Sequence, residues 1–401
     1  MFRDLTIIDL GDGIAPAYCG KLFADLGADV IKVEPPAGDP LRGRAPFAGD
    51  EPGPERSLAF AYVNTSKRGL TLDVTTGRGR ELLLRLVAAA DVVVEGRAPA
   101  WLEAHGLDYE NLRDANERLI MTSITPFGQD GPWRDYAAND FIAQHTSGVA
   151  YNNGSKAPDL DAQPPFPLPG NSAEFLGGLA AASATMCAVI GREATGQGTH
   201  VDVAMQEALA MHLHLDLAWT TFAGTPISRA TGAQPAIAYV SQQPCADGYI
   251  DFVIRTEEQW QNFLDVLGRP DWGDNPLFAT GAGRAQYWDA LEPLVQEELR
   301  KYPKAELYEK SQARGVPAAP VSTLVDAANE GHFADRQAFV DHEQPAIGTL
   351  RAPGPPVRFG ADGWRIRRPA PALGEHNREV FVERLGLSDA ELASLQAEGV
   401  I

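Results

Sequence analysis

The sequence predicts an α/β fold, with a parallel sheet covered by helices on both faces and a second, smaller domain behind it. Two observations carry this prediction. Short apolar runs alternate with segments of helical spacing through the first 125 residues, and strands separated by single helices pair in parallel. A turn-rich stretch over residues 224–235 then divides this pattern from a second set of elements.

The first apolar run, residues 5–10, ends at Gly11 and Gly13. Helical spacing follows over 17–26 and a second strand over 28–34, which makes a βαβ opening. Strands over 70–73, 91–95 and 119–125 alternate with helices over 79–89 and near 109–116. The chain turns Pro-rich around 157–170 and enters a segment, 172–190, that is apolar on nearly every side and rich in Ala and Gly. Such a helix is expected to be buried. A strand over 201–205 and a helix to about 223 complete the first set. Beyond the linker the pattern gives a strand over 249–254, helices near 257–267, 284–300 and 304–312, and a strand over 316–321. From about 326 the character is mixed, with Pro353, Pro355 and Pro356, and a helical pattern near 388–398 ends the chain.

With 401 residues, 44% of them hydrophobic, the chain is long enough for two domains. No run of about 18 apolar residues free of charge is expected to span a membrane. Met1-Phe2-Arg3-Asp4 leads straight into a strand, so no signal peptide and a cytoplasmic location are expected. Cys19, Cys187 and Cys245 lie far apart without C-x-x-C spacing and read as buried small hydrophobes. The 54 acidic and 34 basic residues give a net charge of −20, which opposes attraction to nucleic acid or an anionic membrane. An anionic ligand would need a basic or amide-lined pocket.

Gly11-Asp-Gly13-Ile-Ala-Pro16 resembles a dinucleotide loop only in part, because its sixth position is Pro16 where close helix packing wants Gly or Ala. It reads as a strand-to-helix turn. There is no H-E-x-x-H, and His212 with His214 stands at i, i+2, so no metal site is expected. His145 and His200 read as hydrogen-bonded structural residues. No G-x-S-x-G is present to supply a hydrolase serine. In Leu168-Pro-Gly-Asn-Ser-Ala-Glu174, a carboxylate stands in the first turn of the long apolar helix. It has two readings. It is either a nucleophile able to open a thioester, or the fourth member of a capping box begun by Asn171.

Several segments together resemble the family III CoA-transferases, the CaiB/BaiF family. They are residues 23–34 with Gly38-Asp39 and Arg42, Lys67-Arg68 leading to Leu72-Asp73, residues 90–95, and Phe127-Gly-Gln-Asp-Gly-Pro132 with Gln144 and Ser147-Gly148. Thr195-Gly-Gln-Gly198 before Val201-Asp202, Cys245-Ala-Asp-Gly-Tyr249, residues 315–321 and Gly374-Glu-His-Asn377 extend the likeness to the C-terminus. The resemblance implies a large Rossmann-like domain built from both chain ends (1–223 and 326–401), a smaller inserted α+β domain (224–325), and an interlocked-ring homodimer. A heteromer with a related subunit is the other assembly it allows.

The implied reaction moves CoA from an acyl-CoA to a carboxylic acid through covalent carboxylate intermediates, with no tightly bound cofactor and no metal. The catalytic Asp of the family falls on Glu174 here. Coenzyme A contacts fall on Ile14 and Ala15, on Leu72, Asp73, Val74 and Thr75, on Gly96, Arg97 and Ala98, and on residues 137–140, including Asn139. Asp140 is implied as a carboxylate lining the site. Ile14 replaces an amide side chain near the thioester. Ala104 stands where a phosphate-binding Arg is familiar, so Arg97 and Arg42 are the candidates for supplying positive charge. Related racemases use a His before the Asp, and Asn139 here speaks against that chemistry. The apolar residues 236–239 favour a larger or less polar acyl group. The other functions carried forward are a non-catalytic CoA-binding subunit and another acyl-CoA enzyme, such as a hydratase, isomerase or thioesterase.

Overall fold

In the computed structural model, which describes residues 1–153, 162–224, 242–360 and 363–401, six strands form one all-parallel sheet. They are β1 (Thr6–Asp9), β2 (Asp29–Glu34), β3 (Arg68–Thr71), β4 (Val92–Glu95), β5 (Ile120–Thr125) and β6 (Thr199–Ala204), in the order β3-β2-β1-β4-β5-β6. Side chains alternate between two cores, as a pleated strand requires. Ile8, Ile31, Leu70 and Val93 face one core, and Ile7, Val30, Val92 and Val94 face the other.

The connecting helices are α1 (Ile14–Asp25), α2 (Leu58–Val63), α3 (Gly77–Val87), α4 (Pro99–His105), α5 (Tyr109–Arg113), α6 (Asp140–Thr146), α7 (Val149–Asn152), α8 (Ser172–Thr195), α9 (Met205–Ala210) and α10 (His214–Ala223). The expected long helix is therefore 24 residues long, but it is not buried all round. Ala173, Gly177, Ala181, Thr185 and Val189 form its buried stripe, while Leu179 and Ile190 are exposed. By length and composition α8 could cross a membrane, contrary to the sequence expectation. Its small-residue face is instead seated in the core with α1 and the sheet. A Cβ on Gly178 would lie 2.5 Å from the Ala15 carbonyl oxygen, so only glycine permits this approach.

The chain divides into two compact units, Met1–Asn153, Pro165–Phe222 and Gln337–Ile401 in the first, Gly154–Pro164 and Ala223–Arg336 in the second. The first unit resumes at Gln337 rather than at the expected 326. Within the second, β7 (Gln243–Cys245), β8 (Gly248–Phe252) and β9 (Ala318–Pro320) make an antiparallel sheet. Helices α11 (Glu257–Val266), α13 (Trp288–Leu299) and α14 (Lys304–Gln312) share a core with it around Trp260, Phe252 and Phe263, and Arg284 of α12 (Gly281–Gln286) stacks over Trp260. Short helices α15 (Leu324–Asn329) and α16 (Gly331–Asp335) follow. Most of the predicted linker and all of the apolar residues 236–239 lie outside the described residues.

Back in the first unit, a hairpin of β10 (Phe339–Gln344) and β11 (Gly348–Pro353), which the sequence did not predict, precedes the terminal helix α17 (Asp389–Ala397). The Gly374-Glu-His-Asn377 motif closes the edge of the large sheet. Gly69 N–H donates to His376 Nδ1 at 3.1 Å and Thr71 N–H to Asn377 Oδ1 at 2.8 Å. Unpaired edge amides of β3 are thereby satisfied by side chains.

Candidate active site

Strand order reverses between β1 and β4, and in open parallel sheets ligands bind beyond the carboxyl ends of the strands at such a point. A cleft of about 270 Å³ lies there, with Leu10 and Asp12 after β1, Glu95 and Arg97 after β4, and Leu72, Asp73, Val74 and Thr75 after β3 in its walls. It is slightly below the range of roughly 300–1,000 Å³ usual for ligand pockets, so it has room for part of a CoA rather than all of it. Sequence reasoning singled out Leu72 to Thr75 and Arg97 separately. The fold brings them into one wall.

The turn between this cleft and α1 is built tightly. A Cβ on Gly11 would lie 2.2 Å from Pro16 Cβ, and Gly13 has a φ of 85°, a conformation that favours glycine. The turn is tethered by buried charges: Lys32 donates to the Gly11 carbonyl oxygen and pairs with Asp39 at 2.8 Å, and Lys67 bonds Asp9 at 2.8 Å and the Ala17 carbonyl at 2.7 Å. Its outcome is to set the first amide of α1, that of Ile14, near the carboxylate of Glu174, whose charged form it favours.

Glu174 does not cap its own helix. Asn171 has a φ of 60° and makes no side-chain cap, which corrects the capping-box reading. The cap comes from Asp140 at the start of α6, whose Oδ1 accepts from Ala173 N–H at 2.8 Å and Glu174 N–H at 3.1 Å while Gln144 Nε2 donates to its Oδ2 at 2.6 Å. Glu174 is thus free to face outward. Its side chain is 14% exposed, and Arg44 Nη1 donates to its Oε2 at 3.2 Å. Burial pushes the carboxyl above its ordinary pKa and the Asp140 charge adds to this, while Arg44 and the Ile14 amide oppose it. A half-buried carboxylate at the positive end of α1, open on one side, is poised for reaction at a carbonyl carbon.

Residues 2–377 match the profile of CoA-transferase family III. The chain belongs to that family. It is similar to succinyl-CoA:(R)-benzylsuccinate CoA-transferase subunit BbsE of Thauera aromatica, at 34% identity over 100% of this chain and 98% of the relative. It is also similar to succinyl-CoA–D-citramalate CoA-transferase of Chloroflexus aurantiacus, at 32% over 99% and 97%. A solved CaiB/BaiF family protein from Brucella suis superposes with a TM-score of 0.82 at 32% identity, over 94% of this chain and 98% of that one. The protein is accordingly a family III CoA-transferase, which acts on a CoA thioester and a carboxylic acid. The dinucleotide, hydratase, isomerase and thioesterase readings fall away.

Within this transferase, the expected role of Arg42 needs correction. Arg42 is buried, and its five N–H donors are engaged by Glu34, Glu55 and the carbonyls of Pro54 and Pro371. It braces the loop after β2 and has no donor left for a phosphate. The side chains of Ile14 and Ala15 point into the core, so the Ile14 backbone alone reaches the site. Asn139 Oδ1 accepts from Ile142 N–H at 3.1 Å and caps α6. Ala98 is the residue before α4. Gly96 is held close to the Ile124 carbonyl, where a Cβ would sit at 3.0 Å. Arg97 remains at the cleft, paired with Asp12 at 2.9 Å and stacked over Trp101.

The histidines behave as structural groups. His200 Nε2 hydrogen-bonds Ser123 Oγ at 2.8 Å and its ring stacks on Tyr109, and His145 Nδ1 bonds the Phe141 carbonyl. Cys187 is exposed, contrary to expectation, while Cys19 and Cys245 are buried. Among the described residues no cluster of three metal-ligating side chains occurs. Sequence reasoning missed two groups. Arg44 could have been suspected from its place two residues after Arg42. Glu95, at the cleft floor, has its Oε2 bonded by Arg97 N–H at 2.6 Å and its buried Oε1 unpartnered among the described residues. Burial raises its carboxyl to about 7. Its neighbours in sequence gave no sign of this.

Proposed function

We propose that Glu174 is the nucleophile of the CoA transfer. Its carboxylate oxygen attacks the thioester carbonyl of the donor, the C–S bond breaks, and CoA thiolate leaves an acyl-glutamyl anhydride. The thiolate then attacks the Glu174 carbonyl, which frees the donor acid and leaves a Glu174–CoA thioester. The acceptor carboxylate attacks that thioester, and the released thiolate opens the second anhydride at the acyl carbon. A new acyl-CoA and free Glu174 result. The supporting observation is the carboxylate itself: released from capping by Asp140, it accepts from Arg44, lies near the Ile14 amide and stays partly exposed. The Ile14 amide is placed to stabilise negative charge near the reacting carbon.

CoA enters by the cleft at Leu72, Asp73, Val74, Thr75 and Arg97, and succinyl-CoA is the first donor to test, because it stands in the names of both relatives above. Incubation with a panel of acyl-CoA donors followed by borohydride or hydroxylamine should mark Glu174 in peptide mass spectra. Glu174→Gln should lose turnover while folding normally, and Glu174→Asp should fall by roughly a hundredfold, since a shift of about 1 Å in a reacting group has that effect. Unchanged turnover in Glu174→Gln would remove the proposal.

A second reading is favoured by one relative being named a subunit: this chain binds CoA and completes a site with a related chain. Absence of any adduct on Glu174 with every donor would support it. For assembly we propose two copies, interlocked as the family resemblance implies. In support, Leu179 and Ile190 on α8, Met211 after α9, and Leu215, Trp219 and Phe222 on α10 are exposed apolar side chains.

A further inference from the structure

Arg44 carries one more assignment, which rests on Glu174 being the nucleophile. Its side chain is 42% exposed, and among the described residues its guanidinium donates to Glu174 alone. Arg42, two residues away, has every donor bound and is buried. One arginine of the pair is therefore a brace and the other has a single partner among the described residues, and that partner is the group the reaction modifies and restores.

Charge conservation limits where the negative charge can reside at each step. In the resting enzyme the negative charge beside Arg44 is on Glu174. Once Glu174 is a CoA thioester it is neutral, and the charge resides on the free acid that has been released or is about to attack. We infer that Arg44 is the binding group for the reacting carboxylate of the acid substrate, exchanging Glu174 for that carboxylate in each half-reaction. A guanidinium has the planar donor fork for this role, and its net charge balance is the same before and after the exchange. The ligand class is a carboxylic acid held at its reacting end. No new bond is made to Arg44, and no proton leaves it.

The test separates the two half-reactions. Wild type, Arg44→Gln and Arg44→Lys are loaded with succinyl-CoA, or with whichever thioester of a panel loads the enzyme, and the Glu174–CoA thioester is read by intact-protein mass. The thioester is then discharged with the donor's own acid, isotopically labelled, which must be an acceptor because each half-reaction is reversible. We expect Arg44→Gln to form the thioester but to need roughly 10- to 100-fold more acid for half-maximal discharge, the range for losing a charge-assisted hydrogen bond. Arg44→Lys should recover part of this. In Arg44→Gln the acidic limb of kcat/KM for acyl-CoA should also move to higher pH, because Arg44 opposes the upward shift of the Glu174 carboxyl, a change that a purely structural arginine would not cause. Discharge of Arg44→Gln with wild-type dependence on acid would overturn the assignment while leaving the Glu174 mechanism intact. If no thioester forms in wild type, both fall.

Discussion

At the scale of single residues, burial holds both Glu174 and Glu95 above the ordinary carboxylate range, with different consequences. As the proposed nucleophile Glu174 must ionise to act, so turnover should rise with pH along a limb displaced upward from a free glutamate. Glu95 is wholly buried, and its carboxyl is raised to about 7. The folded protein thus holds this proton more tightly than the unfolded chain does. Its contribution to stability is present at pH below the ordinary carboxylate value and is lost as pH climbs from there to about 7. Replacing Glu95 by Gln removes that titration. The melting temperature of Glu95→Gln relative to wild type should therefore increase between pH 5 and pH 8, by an amount equivalent to at most roughly 3 kcal/mol at about 1.4 kcal/mol per pKa unit. A difference independent of pH, measured by calorimetry at both values, would show that Glu95 does not titrate there.

At the scale of elements, α8 shows how a helix start becomes a site. Asn171 to Glu174 has capping-box spacing, yet the backbone at Asn171 is left-handed and the cap arrives from α6, 31 residues upstream of Asn171 at Asp140. Asp140→Ala should lose about 0.5–2 kcal/mol, the usual cost of a lost cap, and lower turnover with it. Asp140→Asn keeps an oxygen that accepts the same two amides but sets an amide donor against Gln144 Nε2, so its denaturation midpoint should fall between those of wild type and Asp140→Ala. Equal midpoints for the Ala and Asn variants would mean the cap contributes nothing. The long elements were legible. Helix α14 falls at the predicted 304–312, and α11 and α17 begin at capping boxes set by Thr256 and Ser388. Helices α2, α4 and α6 have six or seven residues each, under two turns, too short for a period to declare itself. The hairpin of β10 and β11 was missed because polar Asp341, His342, Glu343 and Arg351 break its apolar pattern.

At the scale of the whole molecule, the exposed apolar side chains of α8 to α10 predict self-association. Analytical ultracentrifugation across a dilution series should report twice the chain mass, and a monomer at micromolar concentration would oppose the proposed assembly. The parallel sheet, the start of α8, the carboxylate in its first turn and the family were readable from the linear sequence, because each depends on local period, composition or a contiguous motif. Which charges are free was not readable. Arg42 and Arg44 look alike in one dimension, and only the fold surrounds the first with Glu34, Glu55 and two carbonyls while turning the second toward Glu174. Likewise, that Glu174 does not cap its own helix was decided by Asp140 arriving from another helix. Contacts between residues far apart in the chain are set by packing, and packing is what the tertiary structure adds.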